Sequence, residues 1–486
     1  MNVLVPRRAI QALLVLATLI FTAACETTGG ASDEREPVFV EEETVSQQAP
    51  EAPIENDEGE GEVPLVVAES AHLEDVAPGM ELEEVVVEAH ARDRHEVILD
   101  FVSEAKSILR DVELEYVFTG KGKKKVLRGR PVDFALWSDT KQEWSVARVE
   151  IARPPIKWRP GGKPFPFSVH TPGVQAWHVK GTGAERLMFA FSKDGEQMKV
   201  YGRKFPVFDS ALIAKKKWRA VVETAKPIEY LPFNQDTLDP LFVSGGKEFL
   251  LSTARKAIEE LRLAKAPSVA FPGELLADVV PAEVLATLAV IEQTDDADFV
   301  KQKADAFNEV LNQYGLNREE AYRYSVSSAS ALGPMQFTNK NGKGTYALVV
   351  RRCPEANLDP NFERGATDLL NAMKAAICLF DIELSQMLSD IRVAYHENKE
   401  VLGIFPVAAY NGGPRNVARL YGVMKRMGVN LEDLRLPGEQ PQGKQVICPC
   451  LWIMDSTGIS PVAIPKYNNE NRWYIEKYQN ILRVFE

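Results

Sequence analysis

The hydrophobic period of the chain changes near residue 227, and that change decides the architecture. Between 113 and 206 the apolar residues gather in short β-rich runs: LEYVFTG, KKVLRG, VDFALWS, WSVARVEIA, FPFSV, QAWHVKG, RLMFAFS and QMKVYGR. Gly, Asp, Pro and Lys turns divide them. From 247 onward the spacing is helical. Strands followed by helices, rather than alternating with them, define an α+β multidomain chain. Its 486 residues exceed a single ordinary domain. A helix is expected over 97–109, before the strands, and another over 209–224, after them. The expected divisions are a β-rich accessory domain, sandwich or barrel-like, over 96–226, a linker over 227–246, and a mainly α-helical domain over 247–486.

The formal net charge of −12 is unevenly placed. Residues 26–90 hold 20 acidic side chains against one basic residue, Arg35, which leaves 91–486 at about +5. The acidic stretch 26–95 is rich in Pro, Gly and Ala. It cannot bury enough apolar surface to offset its ordering entropy, and it reads as a disordered tether. Residues 1–25 read as an export signal. Arg7 and Arg8 precede an apolar core over 9–21, too short for a comfortable membrane span, and Thr22, Ala23 and Ala24 lead to Cys25. This ending resembles the lipobox of bacterial lipoproteins, in which the cysteine receives lipid, although Thr22 stands where leucine is usual. The resemblance implies a membrane partner through an N-terminal lipid anchor. With Glu26 rather than Asp after the cysteine, it favours an outer-membrane lipoprotein facing the periplasm.

Three stretches carry candidate chemistry. LATLAVIEQTD, over 285–295, places Glu292 near the end of an apolar run that follows Pro281, a favourable helix start. SSASALGPMQ occupies 327–336, and FPVAAYNGGPRNV occupies 405–417. A carboxyl held against apolar side chains resists ionisation and can serve as a general acid near neutral pH. Together the three stretches resemble the lytic transglycosylases of the goose-type lysozyme superfamily, the SLT domain, over about the last half of the chain. The resemblance implies a lysozyme-like catalytic domain with Glu292 as its single catalytic residue. It places Ser327, Gly333, Met335, Gln336, Tyr410 and Asn411 against substrate. Ser327 and the Tyr410 hydroxyl would lie near the carboxylate, Gly333 would let substrate approach the backbone, and Met335 and Gln336 would give an apolar platform and a polar contact. Asp359-Pro360 before a helix over 364–384 agrees with the pattern. So does ENRWYIEKYQNIL at 470–482, with Arg472 and Tyr474 matching the terminal helix.

The departures are specific. Gln293 replaces the usual serine after the glutamate, and Ser330 the first glycine of the loop. The segment 295–326 is longer than usual and holds TDDAD, read as a solvated turn of Asp295, Asp296 and Asp298, and a helix over 300–314. Glu319 and Glu320 lie closer to the usual distance before Ser327, but in polar surroundings, which leaves them as rival acids. Residues 428–469 look like a second insertion. Cys353, Cys378, Cys448 and Cys450 remain after lipidation of Cys25 and are candidates for two disulfides in an exported protein, with three connectivities open.

Elsewhere the signals are weaker. GKGKKK at 120–125 lacks the Walker spacing and reads as a charged hairpin tip or a contact for anionic wall polymer. Trp137, Trp144, Trp158 and Trp177 are core residues or sugar platforms. His170 and His178 show no ligand partners, so no metal and no cofactor is expected. The implied reaction is cleavage of the MurNAc–GlcNAc bond of peptidoglycan without water. A water-using muramidase and an inactive wall-binding scaffold are the alternatives. Peptidoglycan glycan strands are the expected partner, together with a protein partner for the β-rich domain, and no nucleic acid.

Overall fold

The structure is a computed structural model that describes residues 93–485, apart from 123–124, 153–163, 182–184, 210–211, 214, 303, 328–329, 340–341, 438–449 and 465–468. The export signal, Cys25, nearly all of the tether, Trp158 and Cys448 lie outside the described residues. Helix α1 (Arg94–Arg110) comes first, followed by a short pairing of β1 (Phe118–Thr119) with β2 (Val126–Leu127). The main sheet is built from β3 (Gly129–Ser138), β4 (Glu143–Ala152), β5 (Phe167–Val169), β6 (Val174–Lys180), β7 (Met188–Lys193), β8 (Glu196–Val207) and β9 (Lys226–Tyr230). Its order is β5-β4-β3-β8-β7-β6, with β9 on β8, and it curls into a nearly closed barrel-like form.

The strand alternation explains the two faces. Val132, Phe134 and Leu136 of β3 point inward with Val149, Phe189, Phe191 and Phe205. Ala135 points outward to Ala105 and Leu109 of α1. Phe101 of α1 stacks on Tyr201 at 4.7 Å between ring centres and also meets Trp137 and Trp144. These two tryptophans therefore act as packing residues, whereas Trp177 on β6 is 51% exposed. In the 209–224 region α2 covers Trp218–Glu223, and Leu212 and Ile213 are also helical.

The expected linker is structured. Pro227 lies in β9, on the edge of the sheet, where its missing N–H costs no ladder bond. Asp239 then caps α3 (Pro240–Leu263) through Leu241 N, with proline in the first turn. The intervening backbone is bound from below. Asn317 bonds both the N–H and the carbonyl of Leu231, and Asn312 bonds Asp239 N and Thr237 O. The prolines concealed this order, because side chains 70 to 90 positions away supply its hydrogen bonds.

The helical part continues with α4 (Ala282–Gln293), α5 (Asp296–Gln302), α6 (Ala304–Asn317), α7 (Thr345–Arg352), α8 (Phe362–Thr367), α9 (Leu369–Ser385), α10 (Ser389–Glu397), α11 (Ile404–Gly412), α12 (Pro414–Arg426) and α13 (Asn469–Phe485). A hairpin of β10 (Cys450–Asp455) and β11 (Gly458–Ala463) precedes α13. Helices α4 and α9 are apolar almost all round and form the centre of the core. Helices α3 and α6 meet at glycines: a Cβ on Gly246 would lie 1.9 Å from Leu311 O, and one on Gly315 2.0 Å from Phe242 O. The single helix expected over 300–314 is two, α5 and α6. The one expected over 364–384 is divided at Asp368, whose side chain caps α9 through Asn371 N.

The cysteines depart from the disulfide expectation. Cys353 and Cys378 are buried free thiols, close enough to hydrogen-bond to each other. Burial pushes the Cys378 thiol well above its ordinary range, which suppresses the thiolate needed to form a disulfide. Cys450 is disulfide-bonded, in line with its place among the candidates. Among the described residues no cluster of His, Cys, Asp and Glu could hold a metal, and no helix is long and apolar enough to cross a membrane.

Candidate active site

Helix α4 delivers Glu292. Val284, Leu285, Leu288, Val290 and Ile291 are all at most 1% exposed, and each such side chain stabilises the helix position by roughly 1.5–3 kcal/mol. The helix stops at Thr294, whose backbone turns extended and whose hydroxyl donates to Val290 O at 2.8 Å. Glu292 therefore sits in the last turn, half-buried, where the chain leaves the core.

The hydroxyl that reaches its carboxylate is not the expected one. Tyr474 of α13 donates to Glu292 Oε1. Tyr410 of α11 instead donates to Met335 O at 2.7 Å. Burial raises both phenols well above the ordinary tyrosine range, and the charge of Glu292 adds to each shift, so both stay protonated donors. The Tyr410 hydroxyl lies within electrostatic reach of Glu292, as expected, but it donates to the turn and not to the acid. The reason is geometric: the Tyr410 ring packs against Phe337 and Phe380, which directs its oxygen to the 335 carbonyl.

That turn is closed on itself. Ser327 Oγ accepts from Ala331 N at 3.1 Å, and Ser327 N donates to Ala331 O at 3.0 Å. Gly333 has φ +81°, and a Cβ there would lie 1.8 Å from Ala366 O, so only glycine fits. Its close approach is to the protein's own backbone, not to open space. Met335 is fully buried in the helical core, so it does not present the apolar platform expected of it to substrate. The Gln336 amide donates to Gly333 O at 2.7 Å and Ser325 O at 3.3 Å, so its nitrogen holds the turn. Asn411 is exposed at the end of α11.

Several site residues had no reading from sequence. Gln293, unexpected after the acid, donates to Gly333 O at 3.2 Å and Pro334 O at 2.8 Å, tying the acid helix to the turn. Lys477 of α13 donates to Thr294 O and Asp296 Oδ1, both at 2.6 Å. Its position one turn beyond Tyr474 on the same helix face was a usable signal. Arg186, between β6 and β7, donates to Glu292 O at 3.1 Å and to Gln293 Oε1 at 2.8 Å.

The acidic patch is solvated at Asp295 and Asp296, which are exposed, but its carboxylates also have partners. Asp295 accepts from Ala297 N at 2.8 Å at the start of α5, Asp296 pairs with Lys477, and Asp298 pairs with Lys180 at 3.0 Å. The rival acids lie elsewhere: Glu319 is exposed, and Glu320 pairs with Arg323 at 2.5 Å. No protein-family model matches the chain, no curated protein matches it, and no solved structure matches it.

Proposed function

We propose that the chain is a peptidoglycan lytic transglycosylase that cleaves the β-1,4 bond between MurNAc and GlcNAc. It leaves 1,6-anhydro-MurNAc ends during cell-wall remodelling. The observation that carries the reading is the hydrogen bond from Tyr474 to the carboxylate of Glu292, at the end of a buried helix and tied through Gln293 to the 327–336 turn.

In this reading Glu292 begins protonated and gives its proton to the glycosidic oxygen as the bond from MurNAc C1 breaks. The 2-acetamido carbonyl of the same sugar shares the positive charge at C1. Glu292, now a carboxylate, takes the proton of the 6-hydroxyl while O6 bonds to C1. The proton account closes on one residue, and no water is consumed. The Tyr474 bond strengthens as charge develops on Glu292, which is the condition for lowering a barrier rather than only binding substrate. Asn411, Ser327 and Gln336 are proposed to contact the glycan, with Gly333, Met335 and Tyr410 shaping the wall behind them. Cys25 is proposed as the lipid attachment point, on the periplasmic face of the outer membrane.

The test is Glu292→Gln, which keeps size and loses the transferable proton. Release of soluble fragments from purified sacculi should fall by at least a thousand-fold (on the order of 10³) with folding intact. A variant that digests sacculi at the wild-type rate removes the proposal.

A further inference from the structure

Two consecutive residues of the β-rich unit reach both sides of this site. Arg186 holds the end of the acid helix through the carbonyl of Glu292 itself and the side chain of Gln293. Both oxygens of Glu185 accept from Tyr324 N, at 3.0 and 3.1 Å, in the turn that leads into Ser327. Glu185 is only 5% exposed, so this contact is sealed inside the molecule. Lys180, at the end of β6, adds 3.0 Å ion pairs to Asp298 of α5 and Glu309 of α6.

The last carbonyls of a helix have no partner within it, and a guanidinium placed there supplies donors and suits the helix dipole. Glu292 carries one of those carbonyls. Its side chain departs from a backbone unit that Arg186 fixes directly. We propose that Glu185 and Arg186 clamp the acid helix to the segment entering the 327–336 turn, and that Arg186 is a positioning residue for Glu292. The β-rich unit then completes the catalytic site, in addition to any wall or partner binding of its own. This rests on Glu292 being the acid.

The experiment uses the full chain and soluble peptidoglycan glycan strands, with kcat and KM measured separately. Arg186→Ala should lower kcat by about 10- to 100-fold, the loss expected from a displacement near 1 Å, while KM stays within about two-fold. Arg186→Lys, which restores one donor, should recover part of that kcat. Should Arg186→Ala melt below the assay temperature, Arg186→Lys decides alone: a loss confined to kcat supports the clamp, and an unchanged kcat overturns it. An Arg186→Ala protein with wild-type kcat, or with a change only in KM, also overturns it. Glu292→Gln is run alongside. Full activity in that variant removes the acid assignment itself, a result distinct from an Arg186 variant that stays fast while Glu292→Gln is dead.

Discussion

Deleting one oxygen tests the site at its most specific point. Tyr474→Phe keeps the buried ring, which is 6% exposed, and removes only the donor to Glu292 Oε1. A hydrogen bond to a charged group contributes about 1.5–3 kcal/mol. In the mechanism above the carboxylate exists only after proton donation, so the loss falls on the transition state. At about 1.4 kcal/mol per tenfold in rate, kcat should drop by about 10- to 150-fold, with KM and melting temperature near wild type. Tyr410→Phe is the control. Its hydroxyl serves a neutral carbonyl, so the expected cost is about 0.5–1.5 kcal/mol of stability with a smaller kcat effect. The assay is turnover on soluble glycan strands, with thermal melting in parallel. If Tyr474→Phe turns over at the wild-type rate while Tyr410→Phe is crippled, the assignment of hydroxyls to roles is refuted.

Two further predictions concern stability. Burial raises Glu383 on α9 from 4.5 to about 8, and its Oε2 has no hydrogen-bond partner among the described residues. Below pH 4.5 folded and unfolded chains both hold the proton. Between there and pH 8 only the folded chain does, so stability falls as pH rises through that window, by on the order of 3–5 kcal/mol. Denaturant titrations at several pH values should show Glu383→Gln with a shallower decline. Glu185, raised to about 8 mainly by burial, adds to the decline in the same window. Parallel curves for wild type and variant contradict this. Gly333→Ala should destabilise by roughly 1–3 kcal/mol or more, because its φ is +81° and its Cβ would meet Ala366 O; an unchanged unfolding midpoint contradicts that.

Much of this was legible in the sequence for identifiable reasons. The acid helix was readable because Leu285, Leu288, Val290 and Ile291 are contiguous, local and apolar. The strands were readable because their alternation is local too. Contacts between distant segments were not. Nothing in NRWYIEKY states that Tyr474, rather than Tyr410, would close on Glu292, 182 positions earlier. Nothing in AERLMF indicates that Arg186 would bind the same glutamate's carbonyl. The ion pairs of the TDDAD segment were hidden because its partners, Lys180 and Lys477, lie on either side of it in sequence at great distance. Motif residues also changed roles. Met335 and Gln336 looked like cleft contacts, yet the tight 327–336 turn consumes one in the core and the other's amide in its own closure.

The decisive measurement is the mass of the glycan ends released by the wild-type protein from purified sacculi. A single glutamate that returns to take the 6-hydroxyl proton leaves muramyl ends lighter by one water than hydrolysis would. Anhydro ends from wild type, absent with Glu292→Gln, are the expected result. Reducing ends alone would contradict it.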